Sequence, residues 1–424
     1  MRTNLKRISA IFLMVLGSYQ AGSAQSTNGS LSGIVQDSQG AALPGATVTA
    51  TELGTGESHQ AVSGDGGNYT LPDLPIGDYK VTASASGFKQ LVINSLTLHV
   101  NQVAQLDLKL QVGAVTEQVT VSTELPLVST ESSSVGQVVE NKSIESQPLN
   151  GREFWQLVAL VPGASYTPVA TTNSAGATLR AGSVNVQING TGSVFNGWLL
   201  DGADITEYEQ GGTNIQPNVD ALSEFKVFSA NMPAEYGHTP DVVTVTMKSG
   251  TNAFHGTIYE FIRNDITDAH NYFATTSKNI LKRNQFGGTV GGPIKRNKVF
   301  FFTDVEAARQ SLGVVFSDIV PSNAQRSGNF TADSKAITDP TTGKPFPGGI
   351  IPANRFSSQA LYFLKYLPTQ SQAVFTTAQP NNIIKGDVKI DAVLTQKDNL
   401  MGRYSVADNQ ERDPNQFPAL GFQS

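Results

Sequence analysis

Cysteine is absent from the 424-residue sequence, and long apolar runs are scarce. Without cysteine the chain has no disulfides, no thiolate metal ligands, no thiol nucleophile and no acylated lipoprotein cysteine. The apolar run Ile8–Leu16 is far shorter than the roughly 20 residues that a transmembrane helix requires. Because no later stretch is long and apolar enough either, any insertion into a membrane would have to use β-strands.

Charge is also sparse. Charged residues make up 15% of the sequence and the formal net charge is −6 at pH 7, whereas glycine is abundant, with 40 residues. An acidic chain argues against nucleic acid as a partner. Few charges and many turn formers are typical of a β-rich protein rather than of a helical bundle.

Residues 1–24 have the pattern of a cleaved export signal. Basic residues open the chain, the short apolar run follows, and small residues precede a predicted cleavage between Ala24 and Gln25. A membrane anchor is the alternative, but the apolar run is too short to span. We therefore expect an exported protein.

Short alternating runs bounded by turn residues fill residues 25–111. These runs are LSGIVQD, ATVTATE, YTLPDLP, YKVTASA, LTLHV and AQLDLKL. Strands at this spacing, without a helical period, predict a single antiparallel β-sandwich. The residues predicted to form its core are Tyr69, Leu71, Tyr79, Val81 and Phe88.

This segment resembles the carboxypeptidase-regulatory-like domains, which have a transthyretin-like or carbohydrate-binding-like sandwich fold. The resemblance rests on GIVQDSQGAALPGATVTA and GNYTLPDLPIGDYKVTASASGF. No zinc ligands or catalytic carboxylate accompany it, so it implies a periplasmic spacer or docking module rather than a peptidase. Sugar binding is the alternative, although no cluster of aromatic residues supports it.

Residues 135–252 combine helical and strand signals. A helix is predicted where Asn150 can cap an apolar stripe running from Phe154 to Val161. Next, Asp201-Gly202 predicts a tight hairpin turn, because glycine accepts positive φ. The segment therefore begins as a small α+β unit.

Two further strands are predicted in the same unit. Phe225–Ser229 alternates with Phe225 and Val227 on one face. After a turn at Tyr236-Gly237, the run VVTVTMK alternates like a half-buried strand.

From residue 253 onward the sequence has the alternation of barrel strands. TIYEFIR, NQFGGTVGG, DVKIDAVL and LMGRYSV place apolar and polar residues on opposite faces, as transmembrane β-strands do. A soluble antiparallel sheet would give the same pattern. The insert from Val314 to Thr377 is predicted to be a long loop. The run Gly287–Gly292 lacks the Lys-Ser/Thr of a phosphate loop, and close strand packing explains it better.

The ordered set of these motifs resembles the TonB-dependent outer-membrane receptors, in particular their Oar-like branch. The matching stretches are LLDG, ALSEFKVFSANMPAEYG and VVTVTMKSGTN, with Asn150-Gly151-Arg152 upstream and FHGTIYEFIRN downstream. The resemblance implies a plug domain at 135–252, followed at 253–424 by the first strands of an antiparallel transmembrane β-barrel. Its plug-motif positions are Asp201, Gly202, Tyr236 and Gly237.

The resemblance also implies a function. Such receptors lie in the Gram-negative outer membrane with the N-terminal domain in the periplasm, and they take up a nutrient ligand, here an oligosaccharide, a peptide or a siderophore. TonB, with its inner-membrane energising complex, would drive uptake. Outer-membrane lipid and the barrel-assembly machinery would be further partners, and no cofactor is implied.

Residues 112–134, rich in Ser and Thr, are predicted to be a linker that carries a candidate TonB box. The box is Glu117, Gln118, Val119, Thr120 and Val121, a strand that the resemblance implies is offered to TonB by β-augmentation. The alternative for the same residues is the last strand of the sandwich or a plain linker.

A plugged transporter barrel has about 22 strands, which is too many for residues 253–424. We therefore expect the sequence to correspond to the front part of a receptor. Expressed alone, it is expected not to insert stably, because open sheet edges leave backbone polar groups unpaired in lipid.

The residues carry no catalytic or metal-binding pattern. The sequence contains no HExxH and no GxSxG motif. The five histidines, which form no close pair, are His59, His99, His238, His255 and His270. The acidic residues Asp201, Asp204, Glu207 and Glu209 are interpreted as solvated turn residues, with contact to a cation or substrate as the alternative. A secreted β-sandwich adhesion or carbohydrate-binding protein is the rival function, and a secreted enzyme with an accessory sandwich comes third.

Overall fold

The computed structural model describes most of the chain in three units. The described ranges are 27–114, 117–121, 135–167, 185–209, 211–237, 239–269, 280–367, 372–395 and 398–412. The predicted cleavage between Ala24 and Gln25 lies outside them. Within these ranges, no helix combines the length and the apolar character needed to cross a bilayer.

The first unit, the sandwich, consists of two packed sheets. Its strands are β1 (Gly29–Asp37), β2 (Thr47–Glu52), β3 (Ser58–Val62), β4 (Asn68–Leu74), β5 (Gly77–Ser84), β6 (Gln90–Leu98), β7 (Val103–Gln105), β8 (Leu108–Leu110) and β9 (Gln118–Val121). One sheet has the order β4-β1-β7, with β8 also on β1, and the other has the order β3-β2-β5-β6-β9.

The predicted sandwich core is confirmed, but the prediction of a purely antiparallel arrangement is wrong. Tyr69, Leu71, Tyr79 and Val81 are buried between the sheets, and Phe88 packs at the margin. However, β7 and β8 pair with β1 in parallel, and β9 pairs with β6 in parallel. These partners are joined by long connections, which, unlike tight hairpins, do not force antiparallel pairing.

The second unit, the central unit, is a mixed sheet with short helices. Its elements are β10 (Val135–Glu140), α1 (Asn141–Ser146), a 3-10 helix (Phe154–Leu160), β11 (Ala164–Thr167), β12 (Asn185–Ile188), a 3-10 helix (Ser193–Phe195), β13 (Asn196–Leu200), β14 (Ala203–Asp204), β15 (Thr206–Glu207), β16 (Gly212–Thr213), a 3-10 helix (Val219–Ala221), β17 (Leu222–Ala230), a 3-10 helix (Ala234–Tyr236) and β18 (Asp241–Met247). The main sheet has the order β10-β17-β18-β13-β14, and two small pairs, β11-β12 and β15-β16, stand beside it.

Aromatic rings form the centre of this unit. The Phe154 ring centroid lies 5.5 Å from that of Trp155, 6.0 Å from that of Trp198 and 6.3 Å from that of Phe225. Val227 shares this core with Phe225, whereas Phe228 packs on the opposite face, so the predicted alternation is confirmed.

Two expectations for the central unit are wrong. The helix predicted from Asn150 is a 3-10 helix that begins at Phe154 and has no side-chain cap. The strand β18 is buried on both faces rather than half-buried. Val243 and Val245 face the aromatic core, while Val242 packs in a second cluster on the other side. Periodicity marks the strand but not how many layers cover it.

The third unit, the long-strand sheet, is antiparallel throughout. Its elements are β19 (His255–Asn264), β20 (Leu281–Lys295), β21 (Val299–Ile319), α2 (Asn323–Arg326), 3-10 helices (Pro347–Gly349 and Ala353–Arg355), α3 (Ser358–Leu364), β22 (Gln372–Val393) and β23 (Asn399–Glu411). The strands pair in chain order, and within the described ranges β19 and β23 form the two open edges. The predicted loop Val314–Thr377 is too long at both ends, because the β21–β22 pairing continues to Ile319 and Gln372.

The two faces of this sheet differ as the alternation predicts. Outward side chains such as Ile258, Val305 and Val388 are exposed, whereas inward Glu306 and Lys389 are buried against the central unit. The glycines of β20 serve close packing, as expected. For example, a Cβ at Gly287 would lie 2.3 Å from the Val305 carbonyl oxygen.

The sandwich lies at the end of the long-strand sheet where the connections are short. The ends of β20 and β21 and of β22 and β23 that follow each other closely in the chain are at this end, and the widely separated ends of β19 and β20 and of β21 and β22 are at the other. Asn252 Nδ2 donates to Thr55 O (2.6 Å) and to Asn297 Oδ1 (2.7 Å), and Asn399 Nδ2 donates to Glu57 Oε1 (2.7 Å).

Candidate functional site

Residues 150–152 of the central unit form hydrogen bonds and an ion pair with the inward face of the long-strand sheet. Asn150 Oδ1 accepts hydrogen bonds from Arg263 Nη1 and Arg283 Nη1, each at 2.9 Å. Gln285 Nε2 donates to the Gly151 carbonyl oxygen at 3.1 Å. Asn150 was expected to cap a helix, but its amide instead joins β19 and β20 to the central unit.

Arg152 carries the first cluster of charges between the two units. Its guanidinium pairs with Asp220 of the central unit and lies 3.6 Å from Glu306 Oε2 on β21. The same group stacks over the rings of Tyr259, at 4.9 Å, and Phe261, at 4.1 Å. Planar stacking and forked donation are properties of arginine that lysine does not share.

Glu306 is the acidic centre of this cluster. Its side chain is 2% exposed, Lys385 Nζ lies 3.2 Å from Oε1, and the Tyr259 hydroxyl donates to Oε2 at 3.0 Å. On the central unit, burial raises the pKa of Asp220, and the charge of Arg152 opposes this shift. Each carboxylate thus has a cation within its own unit, and the contact between Arg152 and Glu306 joins the two units.

Asp201 forms the second cluster. The turn Asp201-Gly202 joins β13 to β14 with φ of 49° and 79°, so the predicted tight hairpin is confirmed. Asp201 Oδ1 accepts from Lys389 Nζ at 3.0 Å and from Met247 N at 3.1 Å. Arg403 Nε lies 3.3 Å from Oδ2, an ion pair without hydrogen-bond geometry.

The interpretation of Asp201 as a solvated turn residue is therefore wrong, because its side chain is 2% exposed. The other acidic residues of that group behave as expected: Asp204 is exposed and accepts from Thr206 N at 2.8 Å, and Glu207 accepts from Glu209 N at 2.9 Å. Among the described residues, no group of three or more His, Asp or Glu side chains is arranged to hold a metal ion.

The other plug-motif positions, Tyr236 and Gly237, form a turn at the end of a 3-10 helix. Gly237 has a φ of 71°, and the Tyr236 ring packs 5.2 Å from that of Phe228. Burial raises the pKa of the Tyr236 hydroxyl. These residues support the central sheet and do not meet the two charge clusters.

The candidate TonB-box residues lie on the sandwich. Gln118–Val121 form β9, which pairs in parallel with Gln90–Ile93 of β6. This position agrees with the alternative that the segment is the last strand of the sandwich. The two interpretations are compatible, since an edge strand can also bind a partner, and the TonB-box assignment stays a prediction.

The sandwich contacts the central unit through His99. His99 Nδ1 lies 2.8 Å from Glu224 Oε2, and the Val100 amide donates to the same carboxylate. On the neighbouring side, Lys226 Nζ donates to Asn101 O at 2.9 Å. The hydrogen bond with Glu224 raises the pKa of His99, burial opposes this shift, and the nearby carboxylates of Glu140 and Asp78 add to it.

We expect this contact to weaken as the pH rises from 6 to 8. A histidine whose pKa is raised by folding stabilises the folded contact below its unfolded pKa of about 6.5, and the stabilisation is lost as pH rises through the higher folded value. Hydrogen exchange of the Val100 amide, corrected for intrinsic rates, should show about fivefold less protection at pH 8, the factor for roughly 1 kcal/mol.

In His99→Gln this pH dependence should disappear, whereas His255→Gln, whose ring contacts a backbone carbonyl, should keep it. Equal pH dependence in both variants would contradict the assignment. Lys226 acts in the opposite direction, because burial lowers its pKa to about 8, so the measurement stays at or below that pH.

Sequence reasoning missed the residues on the long-strand sheet that face these clusters. They are Arg263, Arg283, Glu306, Lys385, Lys389 and Arg403. A signal was present, since charged residues recur at the inward positions of strands whose outward positions are apolar. The pattern indicates that these side chains face a polar interior, but it does not indicate their partners.

Comparison with known proteins defines the class. Residues 246–424 match the family model of the outer membrane beta barrel domain, and residues 30–111 match that of the carboxypeptidase regulatory-like domain. The chain thus contains a region of the outer-membrane β-barrel family and an N-terminal regulatory-like sandwich, and the predicted fold class is confirmed.

A specific relative narrows the class. The TonB-dependent transporter Oar of Myxococcus xanthus is 27% identical to this chain over 274 residues, which cover 60% of the chain and 24% of the relative. The chain is therefore a homologue of the Oar-type TonB-dependent transporters, as the sequence predicted, and it spans about a quarter of the length of this curated relative.

Solved structures with local similarity include two receptors. A ferric enterobactin receptor from Pseudomonas aeruginosa is 14% identical, with a TM-score of 0.38, over 66% of this chain and 34% of the receptor. The siderophore receptor PirA from Acinetobacter baumannii is 14% identical, with a TM-score of 0.32, over 65% of this chain and 45% of the receptor.

Proposed function

We propose that this chain acts in a TonB-dependent outer-membrane receptor that takes up a nutrient ligand, an oligosaccharide, a peptide or a siderophore, without catalysing a reaction. The observation that carries the proposal is the pairing of Asp201, on the central unit, with Lys389 and Arg403 on the long-strand sheet. We interpret this sheet as part of the barrel wall. A domain held inside a barrel by buried charge pairs blocks the lumen until an external force breaks those pairs and moves the domain. A transporter driven from the inner membrane needs such a closed resting state.

The proposal assigns a role to each part of the chain. Residues 1–24 direct export, 25–111 form a periplasmic module, 112–134 link it to the plug at 135–252, and 253–424 begin the barrel wall. The sandwich lies at the end with short turns, which is the periplasmic end of outer-membrane barrels. The long connections then face the outside, where a ligand arrives.

The rival function, a secreted adhesion or carbohydrate-binding protein, does not account for the long-strand sheet. Its outward face carries exposed side chains such as Ile258, Phe286 and Val388, while charged residues point inward. A protein surrounded by water buries its apolar side chains and exposes its charged ones. Apolar side chains outside and charged side chains inside are expected instead for a sheet that faces lipid.

The test concerns the candidate TonB box at Glu117–Val121. Because β-augmentation uses main-chain hydrogen bonds, Thr120→Pro, which removes an amide donor, should abolish binding of the purified periplasmic domain of TonB to the detergent-solubilised full chain. Thr120→Ala keeps the main chain and should bind normally. Unchanged binding by the proline variant would remove these residues from the TonB site.

A further inference from the structure

The candidate TonB box is held extended at the edge of a sheet. β9 is the last strand in the order β3-β2-β5-β6-β9, with Gln90 opposite Gln118 and Ile93 opposite Val121. Gln90 N donates to Glu117 O at 2.9 Å, and Gln118 Nε2 donates to Gln90 Oε1 at 3.1 Å. Lys89 Nζ pairs with Glu117 Oε2 at 2.7 Å.

The other edge of β9 is open. Successive residues of a strand direct their main-chain groups to alternate edges, so the bond from Gln90 to the Glu117 carbonyl leaves Gln118 and Thr120 facing away from β6. No described segment pairs with that outer edge. The side chains of Gln118 and Thr120 are exposed, while Val119 packs against the sandwich core and anchors the strand.

An open edge strand is a template for pairing with another extended chain. A flexible segment loses conformational freedom when it binds, whereas a segment already held in the bound conformation does not incur that cost. The sandwich therefore supplies both the conformation and the exposed hydrogen-bonding edge that strand addition requires.

We propose that TonB binds the sandwich itself, by adding an extended strand to the outer edge of β9 and extending the sheet of β6 and β9. In this arrangement the box stays paired with β6 while TonB binds, and it does not have to detach from the sandwich. We call the sandwich in this role the platform. This inference rests on the proposed function, because it takes Glu117–Val121 as the TonB site.

A reversible disulfide between β6 and β9, called the staple, tests this proposal. The chain has no cysteine, and Gln90 and Gln118 are opposite each other with contacting side chains, so Gln90→Cys with Gln118→Cys should form a disulfide across β6 and β9. Neighbouring strands lie about 4.7–4.9 Å apart, within the range a disulfide bridges. The matched control is Thr49→Cys with Thr82→Cys, opposite each other on β2 and β5, away from β9.

Binding of the purified periplasmic domain of TonB is measured on the detergent-solubilised full chain, oxidised and then reduced in the same sample. We expect the oxidised staple to bind within about threefold of the reduced form, or more tightly, because the segment stays extended. The control staple should show no difference between the two states.

The opposite outcome would overturn the proposal. A tenfold or greater loss in the oxidised staple, recovered on reduction, would mean that the box leaves β6 before it binds, and the proposed function would survive. Absence of binding in wild type and in both redox states would instead remove Glu117–Val121 as the TonB site, and the platform with it. Recovery on reduction also shows that the variant is folded.

Discussion

Replacing Asp201 with alanine is expected to destabilise the docked central unit by about 3–5 kcal/mol, because removal of one partner leaves a buried charge without compensation. The Lys389 side chain is 6% exposed and that of Arg403 is 10% exposed, so water does not replace the lost carboxylate. The Met247 amide would lose its acceptor as well.

The measurement uses the absence of cysteine. Ala221 is fully buried in the central unit, so a single Ala221→Cys reports its opening through the urea concentration at which a thiol reagent reacts. Glu145→Gln is the matched control, since it breaks the Lys248–Glu145 pair, whose acidic side chain is 45% exposed, and should cost less than about 1 kcal/mol.

The double variant Asp201→Ala with Lys389→Met tests whether these residues act together. Because Lys389 no longer carries a buried charge, the pair of changes should cost less than the sum of the two single changes. If Asp201→Ala and Glu145→Gln shift the urea midpoint equally, Asp201 does not hold the central unit against the long-strand sheet.

Placing arginine at Val305 is expected to reduce the amount of assembled protein in the outer membrane. Val305 lies on the outward face of β21 and is 54% exposed. A cationic side chain at the middle of a barrel's lipid face costs about 2–4 kcal/mol. Because the front part alone is expected not to insert stably, the substitution is made in the complete receptor. Its heat-modifiable band in isolated outer membranes should fall severalfold for Val305→Arg.

The control is the same type of change on the same strand. Ile319 is 92% exposed at the far end of β21, about 45 Å from Val305 at the rise of a β-strand and outside an apolar band of about 25 Å. Ile319→Arg should therefore leave the heat-modifiable band unchanged. An equal amount of assembled protein for both variants would show that the outward face at Val305 does not contact lipid.

Local pattern predicted much of this fold correctly. Turn residues and alternation located the sandwich strands, the Asp201-Gly202 hairpin, and the two faces of β22, where Val388 points outward and Lys389 inward. These features depend on neighbours in the chain, because φ preferences and the period of two are properties of short segments.

The failures share a different cause. The stripe from Phe154 to Val161 fits an α-helix, yet the chain forms a 3-10 helix whose rings pack on Trp198 and Phe225. Tertiary contact here outweighs helical propensity. The parallel pairing of β9 with β6 was likewise invisible, since no local signal sets the direction in which distant strands meet.

The sequence by itself determined that this is a cysteine-free, mainly β chain with a regulatory-like sandwich and alternating barrel strands, and it carried enough ordered motifs to indicate its family. The export signal stays a prediction. Only the tertiary structure decided that Asp201 is buried against Lys389 and Arg403, that Asn150 joins two arginines of the wall, and that the candidate box is an edge strand. Strand identity is local, whereas the partner of a charged side chain can lie far away in the sequence, as Lys389 lies 188 positions from Asp201.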